Sequence, residues 1–271
     1  METQQRKQAS LAQNFLTSPK LVQRLVGMST IGPSDTVYEI GPGSGIITAT
    51  LAKVAGQVIA IEKDRDLVIC LRERFRLLNN VEIVEKDFLA YSFQTGSCKG
   101  QSPTDQKIFA SIPYNRTARI VRKILYDRSS LTEAYLIMQK EAARKFSGIP
   151  RETLVSILAK PFFELQILFQ LRRTDFWPVP SVDSVLLSMK RRTQPLISVQ
   201  ELAPFRSFVQ YGFGRWKPNL RLAFKNVFTY KQWKRLARDL DFRLNALPTE
   251  LSFEQWLGLY HAHANKPRKG S

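Results

Sequence analysis

A glycine-rich segment, followed about 20 positions later by an acidic residue, is the first feature that could do chemistry. The segment Glu39-Ile40-Gly41-Pro42-Gly43-Ser44-Gly45 follows a predicted strand and opens a predicted helix. Glycines let the backbone turn sharply and let a ligand approach it closely. The carboxylate of Glu62, at the end of the next strand, can accept hydrogen bonds from both ribose hydroxyls. The pattern predicts a nucleoside-cofactor site; the structural alternative is a helix-start turn with a solvated Glu62.

The glycine spacing indicates which cofactor is bound. It is Gly-x-Gly-x-Gly, and Ile46 stands where the third glycine of a dinucleotide motif would fall. S-adenosylmethionine, whose recognition needs no pyrophosphate contact, is therefore favoured. Asp87, after the third predicted strand, can accept from an adenine amino group, and Phe88 beside it can cover a ring face. Taken alone, such residues are more often an ordinary loop residue and a core aromatic.

A second segment, Ser111-Ile112-Pro113-Tyr114-Asn115, comes directly after the fourth predicted strand. In an open parallel sheet, ligands bind in the crevice at the carboxyl ends of the strands. Proline fixes the turn, and an aromatic ring follows at the crevice. The segment predicts part of a ligand site, with a strand–turn–helix connection that packs Tyr114 locally as the alternative.

Alternating strands and helices must position these residues. Helices are predicted after Ser18-Pro19, from Gly45, and along the face of Leu67, Leu71, Phe75 and Leu78. Strand alternating with helix implies an α/β fold with a parallel sheet, whose last two strands can form an antiparallel edge. The predicted strands are Thr36–Ile40, Val58–Glu62, Val81–Val84, Ile108–Ser111, Ala134–Met138, Phe162–Phe169 and Val185–Met189.

The last part of the chain shows only helical patterns, so we predict a boundary near residue 193. Residues 1–192 would form the α/β domain and residues 193–271 a small all-helical domain. Apolar helical faces are predicted from Leu220, Phe224 and Phe228 and from Trp233, Leu236 and Leu240. The basic residues beside them are Lys217, Arg221, Lys225, Lys231, Lys234, Arg235 and Arg238.

The charge is uneven along the 271 residues, which carry 41 Lys and Arg against 23 Asp and Glu, a formal net charge of +18. Residues 1–100 hold 12 basic and 10 acidic residues, residues 101–192 hold 16 and 8, and residues 193–271 hold 13 and 5. The excess therefore belongs to the later two segments. It favours a polyanionic partner, with nucleic acid as the first candidate.

Several other classes of protein are excluded by the same sequence. No apolar run approaches the roughly 18 residues that span a bilayer, and the N-terminus lacks the apolar core of a signal peptide. The two cysteines, Cys70 and Cys98, form neither a disulfide framework nor a zinc cluster, and the two histidines lie near the C-terminus. We expect a cytoplasmic monomer with no membrane partner and no metal.

With these motifs, the chain resembles the rRNA adenine N6-methyltransferases, which include the Erm macrolide-resistance enzymes and the KsgA/Dim1 dimethyltransferases. The resemblance covers nearly the whole chain. It implies a Rossmann-like S-adenosylmethionine-dependent methyltransferase domain and a helical, basic C-terminal domain for RNA binding. It rests on the segments Gln13-Asn14-Phe15-Leu16, Val37–Gly45, Ala60–Asp64, Lys86–Leu89, Ser111–Asn115 and Phe176–Ser184.

Within the family, the resemblance favours the Erm branch. The tail at Leu251–Tyr260 looks like Erm tails, and residues 8–12 lack the basic-glycine signature usual in KsgA. This branch implies methylation of one adenine in 23S rRNA, in protein-free or precursor form. The consequence would be resistance to macrolide, lincosamide and streptogramin B antibiotics.

The resemblance also implies roles for individual residues. The catalytic set would be Ser111, Ile112, Pro113, Tyr114 and Phe176, with the target adenine between Tyr114 and Phe176. Contacts with S-adenosylmethionine would come from Asn14, Leu16, Gly41, Gly43, Glu62, Asp87, Phe88 and Ser111. Contacts with RNA are expected from Arg116, Arg119, Lys123, Lys217, Arg221, Lys231, Lys234 and Arg235.

One position departs from the family pattern, because the catalytic motif usually begins with Asn and position 111 is Ser. Serine keeps a hydroxyl donor and acceptor but is shorter by an amide group. The number of methyl groups transferred therefore stays open. Two alternative functions also stay open: KsgA/Dim1-like dimethylation of small-subunit rRNA adenines, and a non-catalytic relative that binds RNA or DNA.

Overall fold

The computed structural model describes residues 14–93, 105–126, 131–214 and 218–265. The chain divides into two compact units, Met1–Ala143 with Glu164–Arg191 and Arg144–Phe163 with Arg192–Ser271. The boundary predicted near residue 193 lies close to the point where the chain passes for the last time from the first unit to the second, between Arg191 and Arg192. The segment Arg144–Phe163 was predicted in the first domain but belongs to the second unit, because its Ile157 is buried in that unit's apolar core.

A mostly parallel β-sheet forms the centre of the first unit. Within the described ranges its seven strands are β2 (Thr36–Ile40), β3 (Gln57–Glu62), β4 (Val81–Glu85), β5 (Gln106–Ser111), β6 (Leu131–Gln139), β7 (Phe163–Leu171) and β9 (Ser184–Arg191). Their order in the sheet is β4-β3-β2-β5-β6-β9-β7. The strands from β4 to β6 are parallel, and β9 runs antiparallel to β6. The predicted α/β fold with an antiparallel strand toward one edge is therefore confirmed.

Local sequence signals explain where the helices of this unit begin. Pro19 opens the first helix, and the Ser18 hydroxyl caps it by accepting from the Leu21 N–H at 3.3 Å. The Asp64 carboxylate caps the third helix, which ends at Phe75, so Leu78 lies beyond the helix in which it was predicted. The helices are α1 (Pro19–Val26), α2 (Ile46–Leu51), α3 (Arg65–Phe75), α4 (Thr117–Tyr126) and α5 (Lys140–Ser147), the last of which crosses the boundary between the units.

The second unit is built around buried aromatic rings. Phe205, Phe224, Trp233 and Trp256 are fully buried in one cluster. Both indole N–H groups are satisfied by backbone carbonyls, that of Trp233 at 2.9 Å and that of Trp256 at 3.0 Å. The helices are α6 (Leu154–Ala159), α7 (Leu202–Gly214), α8 (Leu220–Ala223), α9 (Tyr230–Asp239) and α10 (Phe253–Ala264).

The helix predicted through Phe228 is much shorter in the structure. Helix α8 has a single turn, although Leu220, Phe224 and Phe228 are all buried as predicted. The helix ends at Ala223, and Phe224 leaves the helical conformation with a φ of −92° and a ψ of 14°. Thr229 is extended, and its hydroxyl accepts from Gln232 N–H and caps α9. The apolar spacing therefore marked the buried residues correctly but not the length of the helix.

A two-stranded ribbon that was not predicted lies outside the main sheet. Strand β1 (Phe15–Leu16) pairs antiparallel with β8 (Phe176–Trp177). The ribbon joins two segments that are separated by most of the first unit's sequence. Two-residue strands carry no periodic signal, so the pairing could not be read from the sequence.

A buried polar cluster holds the amino ends of the strands together. The Lys107 ammonium lies 2.8 Å from the Asp35 carboxylate, and their side chains are 7% and 6% exposed. The same ammonium donates to the backbone carbonyl of Thr30 at 2.8 Å. The Thr30 hydroxyl donates to Glu133 at 2.5 Å, which links β6 to the cluster.

Replacing Lys107 by Met is expected to lower the free energy of unfolding by about 3–5 kcal/mol, because Asp35 would be left as an unpaired buried charge. The matched control is Arg76→Met, which breaks an exposed pair with Glu73 and should cost less than about 1 kcal/mol. Urea unfolding followed by circular dichroism measures both values. Equal losses in the two variants would contradict this role for the Lys107–Asp35 pair.

Candidate active site

The predicted motif residues meet at one edge of the sheet. Parallel pairing sets Ile40 beside Ile61 and Glu62 beside Glu85, so neighbouring strands end together. Gly41 follows β2, Asp87 follows β4 by two residues, and Ser111 ends β5. The structure thus brings the glycine segment, the acidic residues and the Ser111 segment to the carboxyl ends of the strands, where ligands bind in such sheets.

A cavity of about 240 Å³ lies at this edge. Glu62 stands in its wall with one carboxylate oxygen accepting from the backbone N–H groups of Lys63 at 2.8 Å and Asp64 at 3.0 Å. The other oxygen is buried and has no hydrogen-bond partner among the described residues. Since buried polar atoms are nearly always bonded, this oxygen suits a ligand hydroxyl such as that of a ribose. The wall also includes Ile40, Gly41, Ile61, Lys86, Asp87, Phe88, Leu89, Pro113, Asn115, Arg116 and Ile120.

The glycine loop is open where a ligand would approach it. Gly41 has a φ of +63°, and a Cβ atom added there would meet nothing within 4 Å. Gly43, with a φ of +56°, has a different function: an added Cβ would lie 2.4 Å from the Phe15 ring. The first glycine therefore leaves space at the cavity, and the second lets β1 pack on the loop. The residues present fit a nucleoside cofactor.

Asp87 is held by an arginine that was predicted to bind RNA. The Arg116 guanidinium donates to one Asp87 oxygen at 2.9 Å, and the Leu89 N–H donates to the other at 2.9 Å. The Leu89 N–H and then the Arg116 guanidinium hold the pKa of Asp87 below its ordinary value. Asp87 therefore stays an acceptor, and Arg116 ties it to the segment that follows Ser111.

A second, smaller cavity of about 40 Å³ adjoins the first, and Gly41 and Pro113 contribute to both. Tyr114 lies in its wall, and its hydroxyl is hydrogen-bonded to the buried Ser184 hydroxyl at 2.7 Å. This bond fixes the ring by joining the Tyr114 turn to the start of β9. The other residues of the wall are Asn14, Phe15, Leu16, Pro42, Ser44, Ile46, Ile47, Ser111 and Ile112.

The structure does not bring Phe176 to either cavity. Its side chain is 2% exposed and lies in the apolar core with Leu16, its partner across the ribbon. The predicted sandwich of an adenine between Tyr114 and Phe176 is therefore absent from this arrangement. The physical reason is strand alternation, which turns Phe176 inward and leaves Trp177 outside.

The basic residues predicted to bind RNA differ in how far they are free to do so. The Lys123 ammonium donates to the backbone carbonyls of Leu89 and Tyr91 and lies 5.1 Å from the Phe88 ring, so it holds the loop after β4. Arg119 is exposed. Lys217 lies outside the described residues.

In the second unit, basic side chains surround an exposed aromatic ring. Arg221 and Lys234 each lie 5.8 Å from the centre of the Tyr230 ring, which is exposed. Lys231 is exposed on the same helix, α9, whereas Arg235 pairs with Asp239 at 3.3 Å. Aromatic rings interleaved with cations suit single-stranded nucleic acid.

Within the described ranges, every helix is too short or too polar to span a bilayer. In the same ranges, no group of three or more His, Cys, Asp and Glu side chains is arranged to hold a metal ion.

Comparison with known proteins identifies the family. Residues 4–264 match the family model described as ribosomal RNA adenine dimethylase. The chain belongs to this family. A ribosomal RNA small subunit methyltransferase A from Streptococcus equi subsp. zooepidemicus is 36% identical over 208 residues, 75% of this chain and 72% of that protein. The protein of the same name from Moorella thermoacetica is 34% identical over 215 residues, 76% of this chain and 74% of that protein.

Solved structures give the same fold. The crystal structure of the 23S rRNA methyltransferase ErmE matches with a TM-score of 0.83 and 28% identity, covering 93% of this chain and all of that one. A dimethyladenosine transferase from Plasmodium falciparum matches with a TM-score of 0.73 and 23% identity, covering 92% and 98%. This chain is therefore a methyltransferase of the ribosomal RNA adenine dimethylase family, with the Rossmann-like fold expected from the sequence.

An acidic residue that the site predictions did not include, Glu39, lies beneath the glycine loop. Burial raises its pKa from 4.5 to about 8, against the opposing effect of hydrogen bonds from Thr48, whose hydroxyl donates at 2.6 Å. Its other oxygen is buried without a partner among the described residues. Glu39 is therefore mostly protonated at neutral pH and adds little negative charge under the loop. In the sequence, only its position at the start of the glycine motif could have indicated that Glu39 belongs to the site.

Replacing Glu39 by Gln is expected to change how stability depends on pH. Between pH 4.5 and about 8 the folded protein keeps a proton on Glu39 that the unfolded chain has released, so stability falls as pH rises through this range. The Gln variant still accepts from Thr48 but has no such proton. The ratio of its folding equilibrium constant to that of the unchanged protein should rise by up to about tenfold per pH unit between pH 4.5 and about 8. Above about pH 8 this ratio should stay constant.

Urea unfolding at pH 5, 6.5, 8 and 9 measures this difference. Glu73→Gln, at an exposed carboxylate, serves as the control, and its difference from the unchanged protein should stay constant between pH 5 and 9. A constant difference for Glu39→Gln as well would show that Glu39 is ionised in the folded protein.

Proposed function

We propose that this protein transfers a methyl group from S-adenosylmethionine to N6 of an adenine in ribosomal RNA. The observation that carries the proposal is the pair of adjoining cavities at the carboxyl edge of the sheet. One is lined by Glu62, Asp87 and Phe88, and the other by Ser111 and Tyr114. Two sites that meet at Gly41 and Pro113 suit a nucleoside cofactor and a second planar base.

The first cavity would hold the adenosine part of the cofactor. The unpartnered Glu62 oxygen would accept a ribose hydroxyl, and Asp87, kept ionised beside Arg116, would accept from the adenine amino group. Phe88 would cover a face of the ring. When bound, S-adenosylmethionine supplies a methyl group on a positively charged sulfur.

The second cavity would orient the target amine. The adenine N6 lone pair is delocalised into the ring, so catalysis requires orientation more than a strong base. The Ser111 hydroxyl and the Ile112 backbone carbonyl would accept hydrogen bonds from the two N–H groups of the amine. These bonds would orient the amine so that its lone pair faces the methyl group. Tyr114, fixed through Ser184, would stack on the base. As the N–C bond forms, the methyl group's bond to sulfur would break and leave a neutral thioether. The nitrogen, positively charged after the transfer, would then release one proton to solvent water, because neither a hydroxyl nor an amide carbonyl is basic enough to keep it.

Small-subunit rRNA is the first candidate for the substrate. The relatives at 34–36% identity are named ribosomal RNA small subunit methyltransferase A, and each match spans about three quarters of both chains. This support favours the KsgA-like alternative of the sequence analysis over its main hypothesis. The surplus of basic residues after residue 100, including the exposed Arg119 and the group around Tyr230, supports a phosphate-rich partner in either case.

A specific observation keeps 23S rRNA as the second candidate. The structure of the 23S rRNA methyltransferase ErmE is matched over its entire length at 28% identity. In this candidate, methylation of 23S rRNA would lower the sensitivity of cells to macrolide, lincosamide and streptogramin B antibiotics. The two candidates share the chemistry of the site and differ only in the RNA that is bound.

Replacing Tyr114 by Ala is expected to lower kcat/KM for RNA by about 10- to 100-fold, because stacking on an extruded base contributes about 1–3 kcal/mol. Tyr114→Phe keeps the ring and loses only the bond to Ser184, so its loss should stay below about fivefold. Initial rates with labelled S-adenosylmethionine measure both variants. Equal losses in Ala and Phe would assign the effect to the hydroxyl rather than to stacking.

The substrate is tested by offering the purified protein small-subunit rRNA and 23S rRNA separately, each protein-free and as ribosomal particles. Label from S-adenosylmethionine is expected in small-subunit rRNA, and mass spectrometry of the nucleosides should identify N6-methylated adenine and count its methyl groups. Tyr114→Ala is the negative control. Label confined to 23S rRNA would replace the first candidate by the second, and binding of S-adenosylmethionine without transfer to either RNA would refute the proposed reaction.

A further inference from the structure

Trp177 is an exposed aromatic residue that the proposed reaction does not use. It is 47% exposed, whereas the other tryptophans within the described residues, Trp233 and Trp256, are fully buried. Val179, two residues later, is also exposed. Single exposed apolar side chains are common on protein surfaces, so the significance of Trp177 depends on its surroundings.

The ribbon places Trp177 beside a residue of the candidate active site. Residues directly opposite in an antiparallel pair project from the same face, and Trp177 stands opposite Phe15. Phe15 lines the second cavity and packs against Gly43 of the glycine loop. The other face carries Leu16 and Phe176, which are both in the core, and Leu16 also reaches the wall of the second cavity. Trp177 therefore stands beside Phe15, a residue that lines the cavity for the target base.

Two exposed arginines precede Trp177, and two acids, the partly buried Asp175 and the exposed Asp183, lie in the same stretch of chain. Arg172 and Arg173 are exposed and lie in the short connection between β7 and β8. Arg173 is held only loosely, 3.9 Å from Asp183 and 3.5 Å from the Ser181 carbonyl. A flat apolar ring with guanidinium groups in the same segment is the combination that binds an unpaired nucleotide, with the ring taking the base and the cations its phosphates.

We propose that Trp177 forms a stacking platform for an unpaired RNA base next to the target adenine, with Arg172 and Arg173 contacting its phosphates. The proposal rests on the proposed function for the identity of the nucleic acid. It assigns a second base to the enzyme besides the one that is methylated. RNA is favoured over a protein partner because two exposed guanidinium groups, those of Arg172 and Arg173, lie in the same segment as the ring, and the chain as a whole is strongly positive.

The kinetic test compares Trp177→Ala, Trp177→Phe and the surface control Leu77→Ala, which is 82% exposed on another part of the first unit. With protein-free rRNA as substrate, the Ala variant should raise KM for RNA about tenfold, and the Phe variant should stay within about threefold, because a smaller ring still stacks. The KM for S-adenosylmethionine and the urea midpoint should not change. An unchanged KM for RNA, or an equal rise in the KM for S-adenosylmethionine, would overturn the proposal.

A binding measurement separates this proposal from the proposed reaction. Tryptophan fluorescence is titrated with protein-free small-subunit and 23S rRNA transcripts, in the presence of S-adenosylhomocysteine so that no methyl transfer occurs. Quenching by RNA should be larger in the unchanged protein than in Trp177→Phe, whether or not either RNA is later methylated. Equal quenching in the two proteins would refute the platform even if methyl transfer is confirmed. A Trp177→Ala defect seen only with ribosomal particles would also overturn it, in favour of a protein partner.

Discussion

The parallel register of β2, β3, β4 and β5 is the constraint on which the candidate site depends. Because these strands end together, residues 41, 62, 87 and 111 meet although they are far apart in the sequence. The buried Lys107–Asp35 pair secures the opposite ends of β2 and β5, where a slip of register would leave two charges without partners. The site thus lies at the carboxyl ends of these strands, and the buried ion pair holds the amino ends of two of them in place.

The ribbon of β1 and β8 adds a second constraint at the same edge. Because side chains alternate between the two faces of a strand, Leu16 and Phe176 lie in the core, whereas Phe15 and Trp177 lie on the other face. The alternation thus decides which aromatic ring of the pair Phe176 and Trp177 is buried. Gly43 makes this arrangement compatible with the glycine loop, since any side chain there would meet the Phe15 ring. The segment carrying Asn14 is in this way held against the cavity that Tyr114 also lines.

Not all of the positive charge is available to a polyanion. Arg116 is engaged by Asp87 in the cofactor cavity, and Lys123 by the carbonyls after β4, so both stabilise the site from within. Arg119, Lys231, Lys234 and the Tyr230 ring remain exposed, and Arg221 is partly exposed. The basic residues therefore serve two purposes. Those with a carboxylate or carbonyl oxygen nearby stabilise the site, and those that stay exposed are available to a polyanionic partner.

The sequence by itself determined the α/β fold, the order of its strands along the chain, the family and the residues of the glycine and Ser111 segments. These are local patterns, set by apolar periodicity, caps and glycine spacing, and they need no knowledge of distant residues. Only the tertiary structure decided that Phe176 is buried and Trp177 exposed, that Arg116 pairs with Asp87, that Ser184 holds Tyr114, and that Arg144–Phe163 belongs to the helical unit. Each of these depends on a contact between segments far apart in the sequence, and on a competition for burial or for a charge partner that no local pattern records.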